Sequence, residues 1–340
     1  MRRHLAVIAP LLVAAFLALG SGEAWAWGAS GHRLIGLLAI ESLPQEIPGF
    51  LRGSAAAAMI AELGREADRS KGAGTTHDAE RDPGHFINLD DAGKVAGKLA
   101  LDALPPTREA YDTLLRGVGS DQYKAGYVYY AIIDGWQQLA EDFAQWRVDD
   151  AAARMAQRPA DRAWFARDRR LRERLTIRDL GYWSHFVGDA SQPLHVSMHF
   201  NGWGPFPNPQ GYTTATTFHA FFEGAFVRSA VTLGDMRAQL APYRDCRCSI
   251  AARVAAYIGA THAQVVPLYA LEKAGGFRAG DARGKDFAAA RLAAASAELR
   301  DLIVAAWRHS LDGKVGYPPV AVRDVLSGKV NPIGPQLGLD

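Results

Sequence analysis

The sequence predicts an all-α fold, a single mainly helical domain, and three observations carry that expectation. Apolar residues recur at helical spacing through most of the chain, strand-like alternation is nearly absent, and no internal repeat or low-complexity linker divides it. Of the 340 residues, 49% are apolar and 22% charged, which is enough to bury a large core and far from the composition of disordered chains. The formal net charge is only +2. That balance offers no broad field for duplex nucleic acid or an acidic membrane, so any bound phosphate needs a local source of positive charge.

The elements follow in chain order. Arg2-Arg3, the apolar run 5–20 and the small residues Ala24 and Ala26 have the form of a secretory signal peptide over residues 1–26. The run is short for a membrane span. This predicts a periplasmic or secreted protein whose mature chain starts at Trp27. Periodicity then predicts helices over 31–43, 55–69, 124–146, 161–190, 249–273 (bent at Pro267) and 284–309. Segments 71–107 and 196–217 are rich in Gly, Pro, Asn, Asp and Thr and read as long functional loops. The domain is expected to occupy residues 27–311, with 312–340 an extended tail lying across the surface. The two cysteines, Cys246 and Cys248, are one residue apart, so they form a local bridge or stay as thiols and cannot staple distant parts of the fold.

The ten histidines are unevenly placed. His185 and Asp189 are four apart on a predicted helix, which puts imidazole and carboxylate on one face together with Gly181 and Gly188. Small residues there let another element, or an ion, approach closely. Pro193 ends that helix and His195 follows. His219 and Glu223 repeat the pairing among Phe218, Phe221 and Phe222, where an ionised carboxylate needs a partner. Asp68 and His85 add two more donors. Any one pair alone fits an ordinary hydrogen-bonded pair. Taken together they predict metal ligands, and mixed His/Asp/Glu donors suit zinc better than calcium or magnesium. His262, on an apolar helix face with Ile258, Val265 and Val266, reads as a core histidine. Nucleophile-elbow, HExxH, P-loop and dinucleotide-binding patterns are absent.

Five motifs then share one order: Trp27-Gly-Ala-Ser-Gly-His32, Ala67-Asp68, His85-Phe86-Ile-Asn88, His185-Phe-Val-Gly-Asp189-Ala-Ser-Gln-Pro-Leu-His195 and His219-Ala-Phe-Phe-Glu223. In these residues the chain resembles the zinc-dependent nuclease and phospholipase C superfamily, most closely its single-strand nuclease branch, over residues 27–223. The resemblance implies three zinc ions at the base of a cleft. One would be held by Asp68, His85, His185 and Asp189, and another by the amino nitrogen and carbonyl of Trp27, His32 and Asp189. The remaining ion would be held by His195, His219 and Glu223. Three Zn²⁺ against three carboxylates leave about +3, the local charge that the near-neutral chain otherwise lacks.

What the resemblance implies for activity is a phosphodiester hydrolase: an endonuclease on single-stranded DNA or RNA leaving 5′-phosphates, with 3′-nucleotidase activity. Asp68 and Lys71 are expected at the reacting phosphate, Lys71 standing where the nuclease branch usually has Arg. Phe86, Asn88, Trp203 and Phe206 are expected to contact substrate, the last two by stacking on bases. Two departures keep alternatives open. Glu223 matches the phospholipase branch, and the loop after His195 lacks the Gly-Gly-Asn of the nucleases. A zinc-dependent phospholipase C acting on phospholipid is therefore one alternative, and a zinc-holding binding protein without turnover is another. The substrate expected first is single-stranded nucleic acid or a nucleotide, and no obligate protein partner is implied.

Overall fold

Nearly all regular structure between residues 27 and 337, the part that the computed structural model describes, is helical. The expected signal segment 1–26 and the last residues of the tail lie outside it. The principal helices are α1 (Gly28–Glu41), α2 (Ser54–Leu63), α3 (Glu66–Arg69), α4 (Thr75–Arg81), α5 (Arg108–Gly117), α6 (Val128–Met155), α7 (Pro159–Asp189), α8 (Ile250–His262), α9 (Val265–Lys273) and α10 (Ala282–His309).

The spine is the pair α6 and α7, joined by the short connection 156–158 and packed along each other. Pro159 opens α7 at a position where its missing N–H has no intrahelical acceptor and its fixed φ suits the first turn. The two helices approach closely at Gly135: a Cβ there would overlap the Trp183 ring, whose indole instead donates to the Ile132 carbonyl at 3.0 Å. On the other side of α7, a Cβ on Gly181 would overlap Leu63 of α2. Helices α1 and α10 close the core, with Ile35, Phe143, Leu180, Leu292 and Ile303 fully buried. The expectation of one mainly helical domain holds.

Three expectations are corrected. The helical stretch 249–273 breaks at residues 263–264 rather than bending at Pro267, which is the third residue of α9. An N–H in the first turn of a helix has no internal acceptor, so proline fits there without distortion. Segment 71–107 holds α4, a 3₁₀ turn (Asp82–His85) and a hairpin of β1 (Lys94–Val95) with β2 (Leu99–Ala100). The tail is not extended. It forms a second hairpin, β3 (Lys314–Val315) with β4 (Val320–Ala321), followed by α11 (Val322–Leu326) and α12 (Ile333–Leu337). Val315, Val320, Val322 and Val325 pack on Ala144, Val148 and Ala151 of α6 and form a small core of their own.

One buried acid in the spine has a measurable consequence. Asp149 of α6 is fully buried, accepts from Gln145 Nε2 at 2.8 Å and faces Asp168 of α7. Burial, reinforced by Asp168, pushes its carboxyl from 3.8 up to about 7. The native state therefore holds a proton that the unfolded chain has already lost across that window, so stability falls as pH rises through it. Asp149→Asn keeps the shape and the Gln145 contact. It is expected to stabilise the protein by roughly 2 kcal/mol near pH 8, with the gain closing near pH 5. Thermal unfolding at the two pH values checks this, and an equal gain at both would show that the carboxyl is not proton-linked.

Candidate metal centre

The last turn of α7 supplies His185 and Asp189, one helical turn apart and both fully buried. Gly188 between them brings in α1: a Cβ there would lie 3.0 Å from His32 Nδ1. The His32 and His185 rings stack at 3.9 Å. Asp189 divides its oxygens between them, Oδ2 lying 3.3 Å from His185 Nε2 and Oδ1 3.4 Å from His32 Nε2. Beyond His185, Asp68 of α3 places Oδ1 3.7 Å from His185 Nε2 and 3.8 Å from His85 Nε2. A further group joins His195, His219 and Glu223, with Glu223 Oε2 3.5 Å from His195 Nε2 and 2.8 Å from His219 Nε2. Glu223 sits in a π-helical turn (Phe221–Phe226), a form that concentrates at functional sites.

Three sets of donor atoms thus lie within 4.8 Å of one another: His32 with His185 and Asp189, Asp68 with His85 and His185, and His195 with His219 and Glu223. All of these side chains are buried. Three buried His/Asp/Glu groups are able to bind metal ions.

The protonation pattern favours that use. The Nδ1 atoms of His85, His185 and His195 lie 3.0, 2.8 and 2.8 Å from the carbonyl oxygens of Asp82, Gly64 and His85. A carbonyl only accepts, so each Nδ1 carries the proton and, in the neutral ring, Nε2 turns a lone pair inward. Those Nε2 atoms, both oxygens of Asp189 and Glu223 Oε1 make no hydrogen bond. Buried lone pairs facing one another are satisfied either by a bound cation or by protons on the rings.

Electrostatics point the same way. Burial, with His185 nearby, drives His85 down to about 3 and also lowers His32. Burial opposes charge on Asp189, yet His185 and His32 hold its carboxyl well below the ordinary range. Against their own burial, Asp68 is lowered by His185 and Lys71, and Glu223 by His219 and His195. Burial pulls His185 and His195 down, but Asp189 and Glu223 carry them up. Protons on these two rings partly do the neutralising that bound cations would do.

The remaining expected residues are placed as follows. Lys71 is largely buried, its Nζ 2.7 Å from Asp68 Oδ1, so it belongs to the centre and is not a solvated loop lysine. Trp27 is fully buried in the left-handed region (φ 43), and its indole donates to Gly188 O at 2.9 Å and Ser191 Oγ at 2.8 Å. That anchors it beside the turn bearing Asp189. Phe86 and Asn88 are half-buried next to His85, Asn88 Nδ2 donating to the Lys124 carbonyl at 2.8 Å.

Trp203 is corrected as a stacking residue. It is 5% exposed, its ring stacks at 3.8 Å on His199, and its indole donates to Pro207 O. Phe206 is half-buried, edge-on to the same histidine at 5.1 Å. His199 organises the loop. Its Nδ1 meets Trp203 O and its Nε2 meets Asp91 Oδ1, each at 2.8 Å. Just past His195 and His219 in the chain, Phe200 and Phe221 do stand out in solvent, each 42% exposed. His262 is half-buried rather than core, on a cavity of about 220 Å³ with Asp91, Trp203 and Tyr212. A larger cavity of about 690 Å³ lies between α4, α6 and α7. None of the expected metal ligands lines it, but it reaches Phe186, whose ring is 5.3 Å from His85.

Fold and site together define a helical protein with three buried His/Asp/Glu groups able to bind metal ions. No family model matches the chain, and no curated protein matches it.

Proposed function

We propose that this chain is a zinc-dependent phosphodiester hydrolase, an exported endonuclease that cuts single-stranded nucleic acid and leaves 5′-phosphates. The observation that carries this reading is the division of Asp189 between His32 and His185, which makes two adjoining ligand groups out of one carboxylate, with a third group beside them. Imidazole and carboxylate donors without thiolate fit zinc. The motif order from Trp27 to Glu223 supports the same reading.

Zinc bound there supplies Lewis acidity toward phosphoryl oxygens and lowers the pKa of water. The chain's own part is positioning and charge. The carbonyls of Asp82, Gly64 and His85 lock three imidazoles in one tautomer and orientation. Lys71 holds an ammonium beside Asp68, where it meets a phosphoryl oxygen as a point charge rather than as a planar fork. Phe86, Phe200 and Phe221 offer rings on which bases stack.

Lys71→Met is expected to lower kcat by about 10²-fold with zinc content unchanged, and Lys71→Arg to restore most of it. Metal analysis beside steady-state kinetics checks this. Unchanged kcat in Lys71→Met would leave the lysine as a structural partner of Asp68 only.

The reading as a whole is tested with the protein beginning at Trp27, zinc-loaded, on single-stranded DNA, against a chelated control. Chelator-sensitive cleavage to 5′-phosphate ends is expected. A zinc-loaded sample that leaves DNA intact rejects the nuclease, and turnover of phosphatidylcholine by that sample would identify a phospholipase C instead.

A further inference from the structure

Cys246 and Cys248 are joined by a disulfide across a single residue, their Cα atoms 5.2 Å apart. The bridge lies in the irregular run 240–249 ahead of α8, with Cys248 exposed and Cys246 half-buried. A ring this small removes little entropy from the unfolded chain, because that effect grows with loop length. It also encloses Arg247 in the left-handed region (φ 50), an unfavourable place for a residue with a Cβ. The run is already pinned without it. Arg300 donates to Ala241 O at 2.9 Å, the Arg244 amide donates to Asp301 Oδ2 at 3.1 Å, and Arg253 donates to Arg244 O at 3.2 Å. The bridge is therefore poorly explained as a structural staple.

Its surroundings explain it better as a reactive group. Arg244 and Arg247 are exposed and form no ion pair among the described residues. The one acid of the segment, Asp245, is engaged by Arg308 at 3.6 Å and by the Arg247 amide at 3.1 Å. An accessible disulfide flanked in the chain by two arginines without acid partners draws in thiolate anions and favours the thiolate that leaves.

We propose that Cys246–Cys248 is a thiol–disulfide exchange site whose co-reactant is a small anionic thiol. The incoming thiolate attacks the exposed Cys248 sulfur, the Cys246–Cys248 bond breaks, and Cys246 leaves as a thiolate between Arg244 and Arg247 in the chain. A second thiolate then attacks the added sulfur and releases Cys248. Two thiols are oxidised to their disulfide, and the protein disulfide is reduced by the same two electrons to two thiols.

The test uses the full folded chain with glutathione as probe, quenched by alkylation and read by peptide mass spectrometry. Millimolar glutathione is expected to open the bridge through an adduct on Cys248. The double variant Arg244→Gln/Arg247→Gln is expected to react about tenfold more slowly with glutathione and nearly unchanged with neutral 2-mercaptoethanol. Both substitutions fall on exposed side chains, and circular dichroism confirms that the fold is kept. A bridge that stays closed in millimolar glutathione overturns the proposal. So does exchange in which parent and double variant react alike with both thiols.

Discussion

Asp189→Asn is expected to remove two metal ions from each chain and to lower phosphodiester hydrolysis by at least about 10³-fold. Among the described residues, Asp189 is the one carboxylate whose two oxygens face different imidazoles, His185 at 3.3 Å and His32 at 3.4 Å. Asparagine keeps the shape and one oxygen but replaces the other with an amide nitrogen that has no lone pair to give. It also removes a negative charge that is fully buried and that both histidines stabilise. Glu223→Gln is the contrasting substitution, since Glu223 serves only the His195 and His219 group. Metal content per chain separates the two: a fall of two ions for Asp189→Asn and of one for Glu223→Gln. If both variants lose a single ion, Asp189 does not join two groups and the proposed centre is wrong at its core.

The grouping of the candidate donors was legible in the sequence for a simple reason. A spacing of four on a helix is a statement about space, so His185 with Asp189 and His219 with Glu223 meet as expected. Gly181 and Gly188 were legible as small residues on that face, and the structure supplies their partners, Leu63 of α2 and His32 of α1. Other features leave no such trace. The carbonyls that orient the imidazoles belong to Gly64, Asp82 and His85, and nothing about those residue types marks a backbone oxygen for that use. Strands of two residues are too short for alternation to show, so both hairpins read as loop or tail. Trp203 was misread because an aromatic in a Gly- and Pro-rich segment looks exposed. Its burial depends on His199, Tyr212 and Tyr269 converging from three places in the chain. Periodicity reports which face of an element is buried, and it is silent on what a loop folds around.

Stripping metal from the loaded protein is expected to lower the Tm by on the order of 20 °C at neutral pH. The candidate donors come from α1, α3, the Asp82–His85 and Pro193–His195 turns, α7 and the run around Glu223, so bound ions would tie together segments far apart in sequence. Each site contributes about 4 kcal/mol when free metal exceeds its Kd about a thousandfold. For a chain of this size each kcal/mol moves Tm by about 2 °C. The pH dependence follows from competition between metal and proton for the same Nε2 atoms. Burial holds His85 neutral down to about 3, so its unfavourable protonation destabilises the native state as pH falls below the ordinary 6.5 toward that value. His185 and His195 behave oppositely: burial resists their charge but Asp189 and Glu223 raise them, so their protonation favours the metal-free fold on the acid side and is lost as pH rises through their raised values. Protons therefore compete with metal for these two rings, and the gap in Tm between loaded and chelated protein narrows on acidification. Differential scanning calorimetry with and without chelator across that range measures the gap directly. Identical curves at neutral pH would mean that the buried lone pairs are neutralised by protons alone and that the chain is no metalloprotein.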